Sequence, residues 1–286
     1  MRSEARRFDP FVTQTTEARE YHLAGYLRFL QRHDGELDID REILSQRERY
    51  FEELSLKPVQ SEEPVDLATF ERNLLSAGTG DLDRRTAWLV VAAKANVGEA
   101  YGVDRELRWI KASGTAHKFD ELHLRMLMQE AYHSRILFEV CRTVGLEVHT
   151  PAPNWNQRLL IHIIMRLPDS LRWTLVICAE VVGSAVFELL LRNCDLFSSE
   201  PDVEERLRSL LTEILRDEVL HVAYLRARLS PLGLAIARRL SLVVARAALV
   251  DLPQLEALGA TRQELLARVR SGFDVPTDAS WMKPDP

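Results

Sequence analysis

The chain has 286 residues, 46% of them hydrophobic and 28% charged, with a net charge of -6 and a pI near 5.8. This is the composition of a globular protein, which excludes a disordered chain, and the acidic balance advertises no surface for nucleic acid. Twelve Gly and twelve Pro are few for this length and predict an all-α fold rather than a turn-rich β fold. The N-terminal residues lack the apolar core of a secretory signal. The stretch nearest to a membrane span, 171–191, carries Glu180 and Glu188, which lipid would bury at a cost of several kcal/mol, so no membrane association is expected. Cys141, Cys178 and Cys194 lie in helical apolar contexts without CxxC spacing and read as reduced core residues of a cytoplasmic protein.

Helical periodicity runs through the chain. Residues 15–56 predict two helices parted near His33-Asp34-Gly35, and the polar stretch 56–64 links them to the main body. A long helix is expected over 81–112, stopped at Gly114, and a second over 118–144, closed by Gly145. A connection holding Pro151, Pro153 and Pro168 contains a short apolar helix at 156–166. The third and fourth long helices are expected over 169–196 and 202–229. Two further helices follow at 233–251 and 261–271, then an extended tail over 273–286. The expected organisation is an N-terminal helical extension (1–80), a four-helix bundle (81–230), and C-terminal helices with a tail (231–286). Two long helix pairs joined by a proline-containing crossover have the topology of ferritin-like bundles.

The chemistry is concentrated in two ExxH motifs. Glu130-Ala-Tyr-His133 falls in the second long helix and Glu218-Val-Leu-His221 in the fourth. A Glu and a His three residues apart share a helical face one turn apart, so both can reach one metal. A dinuclear site also needs a carboxylate from each remaining helix. Glu99 is the candidate in the first, with Ala92 and Ala95 on its face; Glu180 and Glu188 compete in the third. In an antiparallel pair, residues at equal height are equidistant from the turn. Glu180 with Glu218 centres that turn at residue 199, inside the evident loop, whereas Glu188 with Glu218 centres it at 203, inside the fourth helix. Glu188 would sit about 12 Å along the helix from Glu218. Glu180 is therefore the expected ligand. The same test on Glu99 with Glu130 centres the first turn near 114–115, at Ser113-Gly114-Thr115. Four carboxylates and two imidazoles balance two divalent ions at about neutral charge, and positions left open by the protein would admit dioxygen.

Residues 84–229 resemble the diiron carboxylate superfamily. Arg216-Asp217-Glu218-Val219-Leu220-His221 is similar to the RDExLH run of ribonucleotide reductase small subunits, and Glu130-Ala-Tyr-His133-Ser134-Arg135 to their ExxHSR. The resemblance implies that Asp217 accepts a hydrogen bond from a ligating imidazole and fixes its orientation. A reductase subunit would carry a radical tyrosine four residues after the first histidine, where this chain has Leu137, and its C-terminal tail has no tyrosine. The motif and length also resemble the p-aminobenzoate N-oxygenase family, which carries a third histidine where this chain has Ile214.

The expected function is a non-haem diiron oxygenase. Glu99, Glu130, His133, Glu180, Glu218 and His221 would hold two iron ions (Fe/Fe, or Mn/Fe), with dioxygen as co-substrate. An external two-electron reductant or electron-donor protein is needed, because no flavin or nicotinamide fingerprint is present. The substrate would be a small molecule, amine or aromatic, undergoing N-oxygenation or hydroxylation in a biosynthetic pathway, and the assembly a monomer or homodimer. The alternatives are a ferroxidase or iron-handling subunit and a helical interaction protein without metal. His123, seven residues before Glu130, reads as a structural histidine or as part of an access path. His117 and His149 read as solvated loop residues, and His162 as a residue of the crossover helix. Leu127, Leu137, Ser184, Phe187, Ile214 and Leu225 read as bundle core or as the lining of an apolar pocket, with Gly183-Ser184 leaving it room.

Overall fold

The computed structural model describes residues 7–75, 82–113, 120–147, 155–164, 166–276, 279 and 282, with the side chains at 97–102, 109, 112–113, 156–157 and 160–161 outside that description. The described residues are all-α in character: ten α-helices and two minimal strand pairs.

Helix α1 (Thr16–His33) starts where the Thr15 hydroxyl accepts a hydrogen bond from the Ala18 amide, and Asp34 closes it. A strand pair, β2 (Leu37–Asp38) with β3 (Ile43–Leu44), leads into α2 (Ser45–Leu56). Helix α3 (Leu67–Leu75) was not expected. It begins where Asp66 accepts from the Thr69 amide, and although amphipathic it is only nine residues long, burying Phe70 and Asn73.

Four long helices follow. They are α4 (Arg84–Ser113), α5 (Glu121–Thr143), α7 (Asp169–Arg192) and α8 (Pro201–Arg228), with the short α6 (Trp155–Ile164) between α5 and α7. The caps explain the boundaries. Asp120 accepts from the His123 amide, Pro201 sits in the first turn of α8, and Gly145 (φ +80°) turns the chain after α5. A 3-10 turn, Asn193–Phe197, ends the third long helix slightly earlier than expected and carries the chain over to α8. Helix α4 packs on α5, α5 on α8, α7 on α8, and α4 on α7. The Trp88 indole, buried completely, donates to the Leu190 carbonyl oxygen at 2.9 Å and pins α4 to α7. The stretch Asp169–Phe197 is long and apolar enough to cross a membrane, but it packs as a core helix between α8 and α9 (Pro231–Asp251).

One hydrophobic cluster takes side chains from Phe8 near the start to Met282 near the end, so the three sequence segments expected at 1–80, 81–230 and 231–286 share an interior. After α10 (Arg262–Ser271), capped by the reciprocal Thr261–Glu264 pair, the chain does not simply trail away. Strand β4 (Phe273–Asp274) pairs antiparallel with β1 (Arg7–Phe8). Gly272 makes that approach possible: its φ is +72°, and a Cβ there would lie 2.2 Å from the Phe8 carbonyl oxygen. The expected tail over 273–286 is corrected to this extent, because pairing between opposite ends of the chain leaves no local signal.

Candidate metal centre

The two ExxH motifs lie mid-helix on α5 and α8, and the packing of these helices turns both inward. Glu130, Glu180, Glu218 and His221 each place a ligand-type atom within 4.8 Å of the others, a group that can hold a metal ion. His133 joins them. Its Nδ1 lies 3.3 Å from Glu130 Oε2 and 3.3 Å from Glu218 Oε1. His221 Nδ1 lies 2.7 Å from Glu130 Oε1 and 3.6 Å from Glu180 Oε2. The two oxygens of Glu130 thus serve different histidines, while Glu218 lies close both to His133 and to the Glu180–His221 side of the cluster.

Both imidazoles and Glu218 are fully or almost fully buried, yet His133 Nδ1, His221 Nδ1 and Glu218 Oε1 make no hydrogen bond. Their neighbours are close but not aligned for one. Two ligands at right angles on one cation, each about 2.1 Å from it, would lie about 3 Å apart without a hydrogen bond between them. The carboxylates and imidazoles form a donor set suited to iron, manganese or zinc.

The opposite ring nitrogens are anchored. His133 Nε2 lies 3.2 Å from Asp217 Oδ2, the contact that the resemblance implied, and His221 Nε2 lies 2.9 Å from Gln129 Oε1. Asp217 is chelated by the Arg47 guanidinium at 2.8 and 2.6 Å. Arg47 also donates to Asp34 at 2.8 Å and to Glu213 at 3.3 Å. Helices α1 and α2 therefore supply the wall behind the histidines. Arg47, Asp34, Gln129 and Tyr26 were not found by sequence reasoning. Gln129 sits beside Glu130 and reads as one more core-facing polar residue, while Arg47 falls in the charged run Gln46-Arg-Glu-Arg49, indistinguishable there from a surface position.

Charge interactions follow from this burial. Desolvation alone would lower the His133 and His221 pKa values, but the Glu130 carboxylate outweighs it and holds both at about 10. Burial, with Glu130 beside it, raises Glu180; burial, with Glu180 and Glu130 beside it, pushes Glu218 up further. Asp217 goes the other way. Burial would raise it, yet Arg47 and His133 keep it ionised well below the usual carboxylate range.

The remaining candidates divide clearly. Glu188 faces away from the cluster and is ion-paired with Arg268 on α10. His123 is buried against Glu106 on α4, 3.1 Å away, with its ring edge-on to Trp173. His162 is half-buried on α6. The backbone at Glu99 is helical within α4, while its side chain lies outside the described residues, as do His117 and His149 entirely. Leu127, Leu137, Ser184, Phe187, Ile214 and Leu225 are all buried. A Cβ at Gly183 would sit 3.4 Å from Glu218 Oε2, so the space beside this glycine is taken by a carboxylate of the cluster. No protein-family model matches the chain, and no curated protein or solved structure matches it either.

Proposed function

We propose that α4, α5, α7 and α8 form a ferritin-like bundle holding two iron ions, and that the chain is a diiron oxygenase that oxidises a small organic substrate. Amine N-oxygenation or hydroxylation is the favoured reaction. The observation that carries the reading is the split of Glu130: one oxygen lies beside His133 Nδ1, which Glu218 also approaches, and the other beside His221 Nδ1, which Glu180 also approaches. Glu130, His133, Glu180, Glu218 and His221 would together hold the two cations.

Bound there, a pair of ferrous ions would supply electrons and open coordination positions to dioxygen, with two further electrons drawn from an external donor. The protein's own part is positional and electrostatic. Glu130 spans the two imidazoles. His133 and His221 turn Nδ1 inward, and Glu218 and Glu180 complete the negative charge, to which Glu99 would add a fourth carboxylate. Leu137, Phe187 and Ile214, on the same three helices as the cluster, are buried in the hydrophobic core. Glu180 is 12% exposed against 2% for Glu218, so it lies on the more open side.

The test is anaerobic ferrous loading followed by mixing with dioxygen and absorbance detection. About two irons per chain and a transient absorbance change are expected; Glu180→Ala should abolish the change and Glu188→Ala should preserve it. Iron well below one atom per chain would remove the metalloenzyme reading. A large hollow oligomer on gel filtration would move the assignment to iron handling.

A further inference from the structure

We propose that Gln129 is a positioning residue that selects Nδ1 as the metal-binding nitrogen of His221. The assignment rests on the metal site proposed above and specifies how one ligand is prepared for it.

Gln129 is fully buried on α5, beside the first acid of the cluster. Its amide nitrogen donates to Asp34 Oδ2 at 3.0 Å and to Asp217 Oδ1 at 3.2 Å. Both carboxylates are fully buried, and both are gripped by the Arg47 guanidinium. An ionised carboxylate only accepts hydrogen bonds. The amide therefore has one orientation, with NH2 toward the two acids; the flipped form would set its oxygen against two buried carboxylates, acceptor against acceptor.

That orientation aims the amide oxygen at His221 Nε2, 2.9 Å away, while the Tyr26 hydroxyl donates to the same oxygen at 3.3 Å. An amide oxygen cannot donate, so Nε2 of His221 carries the hydrogen. In a neutral imidazole the other nitrogen then holds the lone pair. That nitrogen is Nδ1, the atom facing Glu130 and Glu180. The opposite tautomer would place two acceptors 2.9 Å apart and point a proton into the ligand cluster. His133 reaches the same tautomer by direct contact with Asp217. The Asp34–Arg47–Asp217 clamp thus sets both ligands, one directly and one through Gln129.

The experiment uses the full chain labelled with 15N-histidine, with Zn(II) alone as a diamagnetic probe, and reads tautomers from two-bond proton–nitrogen correlations. In the wild type, His133 and His221 should each show a protonated Nε2 and a zinc-bound Nδ1. Gln129→Met should scramble the pattern of His221 alone and weaken zinc binding about 10–100-fold, the usual cost of losing a hydrogen bond behind a metal ligand. Asp34→Asn keeps Gln129 in place, loosens its amide, and should give a smaller effect on the same histidine, which guards against a Gln129→Met protein that does not fold. Zinc bound through Nε2 of His221 in the wild type overturns the assignment. So does a His221 pattern unchanged in whichever variants fold, or a disturbance spread equally over His133. A wild-type chain that takes up no zinc overturns the metal site itself, and this assignment with it.

Discussion

On the side of α1 and α2, the imidazoles rest on a lattice of hydrogen bonds: Asp217 behind His133, Gln129 behind His221, and Arg47 tying Asp217 to Asp34. On the side of α7, Glu180 has for partners two other members of the cluster, His221 and Glu218. The carboxylates of the first wall are paired within the protein, Asp34 and Asp217 both with Arg47. The second depends on what the cluster contains. For the metal site proposed above, the contrast would set firmly held nitrogen donors beside a less constrained carboxylate.

The comparison can be broken most forcefully at Arg47. Arg47→Met leaves Asp34 and Asp217 buried without their shared cation, a loss of about 3–5 kcal/mol that urea unfolding would register. An unfolding midpoint equal to the wild type would mean that the wall is not held by charge. The metal-free cluster offers the next largest effect. His133 and His221 are held at about 10, so both imidazoles carry protons at neutral pH when no metal is bound. Metal must displace them. Affinity should therefore rise as pH increases from 6 to 8, by about tenfold per pH unit for each proton released, in zinc competition titrations. A flat profile would mean that the ligands have already shed their protons at pH 6.

Glu180→Gln sharpens the contrast because its two effects have opposite signs. A carboxyl group whose folded pKa is raised costs stability as pH climbs above its unfolded value, so removing it should stabilise the metal-free protein at pH 8 and much less at pH 5. A gain on the order of 1 kcal/mol would raise Tm by about 2–4 °C in calorimetry, while metal affinity falls. Lowered stability at pH 8 would show that Glu180 is satisfied without metal. The smallest effect belongs to Glu188→Gln. Its partly exposed pair with Arg268 should be worth about 1 kcal/mol or less, and metal binding should not change.

The convergence of Glu130, His133, Glu180, Glu218 and His221 was legible in the sequence, and the wall behind the histidines was not. Equal heights across a turn chose Glu180 over Glu188 because helical rise is constant, and the structure turns Glu180 into the cluster and Glu188 toward α10. The all-α character followed from periodicity. Arg47 and Asp217 are 170 residues apart, and no period, spacing or motif connects α2 to α8. Gln129 is oriented by Asp217 and by Asp34, which in sequence merely ends a helix before Gly35. The strand pairs are two residues long and α3 only nine, too short for a pattern to stand out from the loops beside them.

The pairing of Arg7–Phe8 with Phe273–Asp274 gives the molecule an optical handle. Donor and acceptor dyes attached near these two strands would sit within efficient transfer range in the native state, whatever happens at the cluster. Unfolded, a chain of this length has a radius of gyration of roughly 60 Å, and the transfer would collapse. A single fluorescence ratio would then follow global unfolding separately from metal loss, which absorbance at the cluster reports on its own.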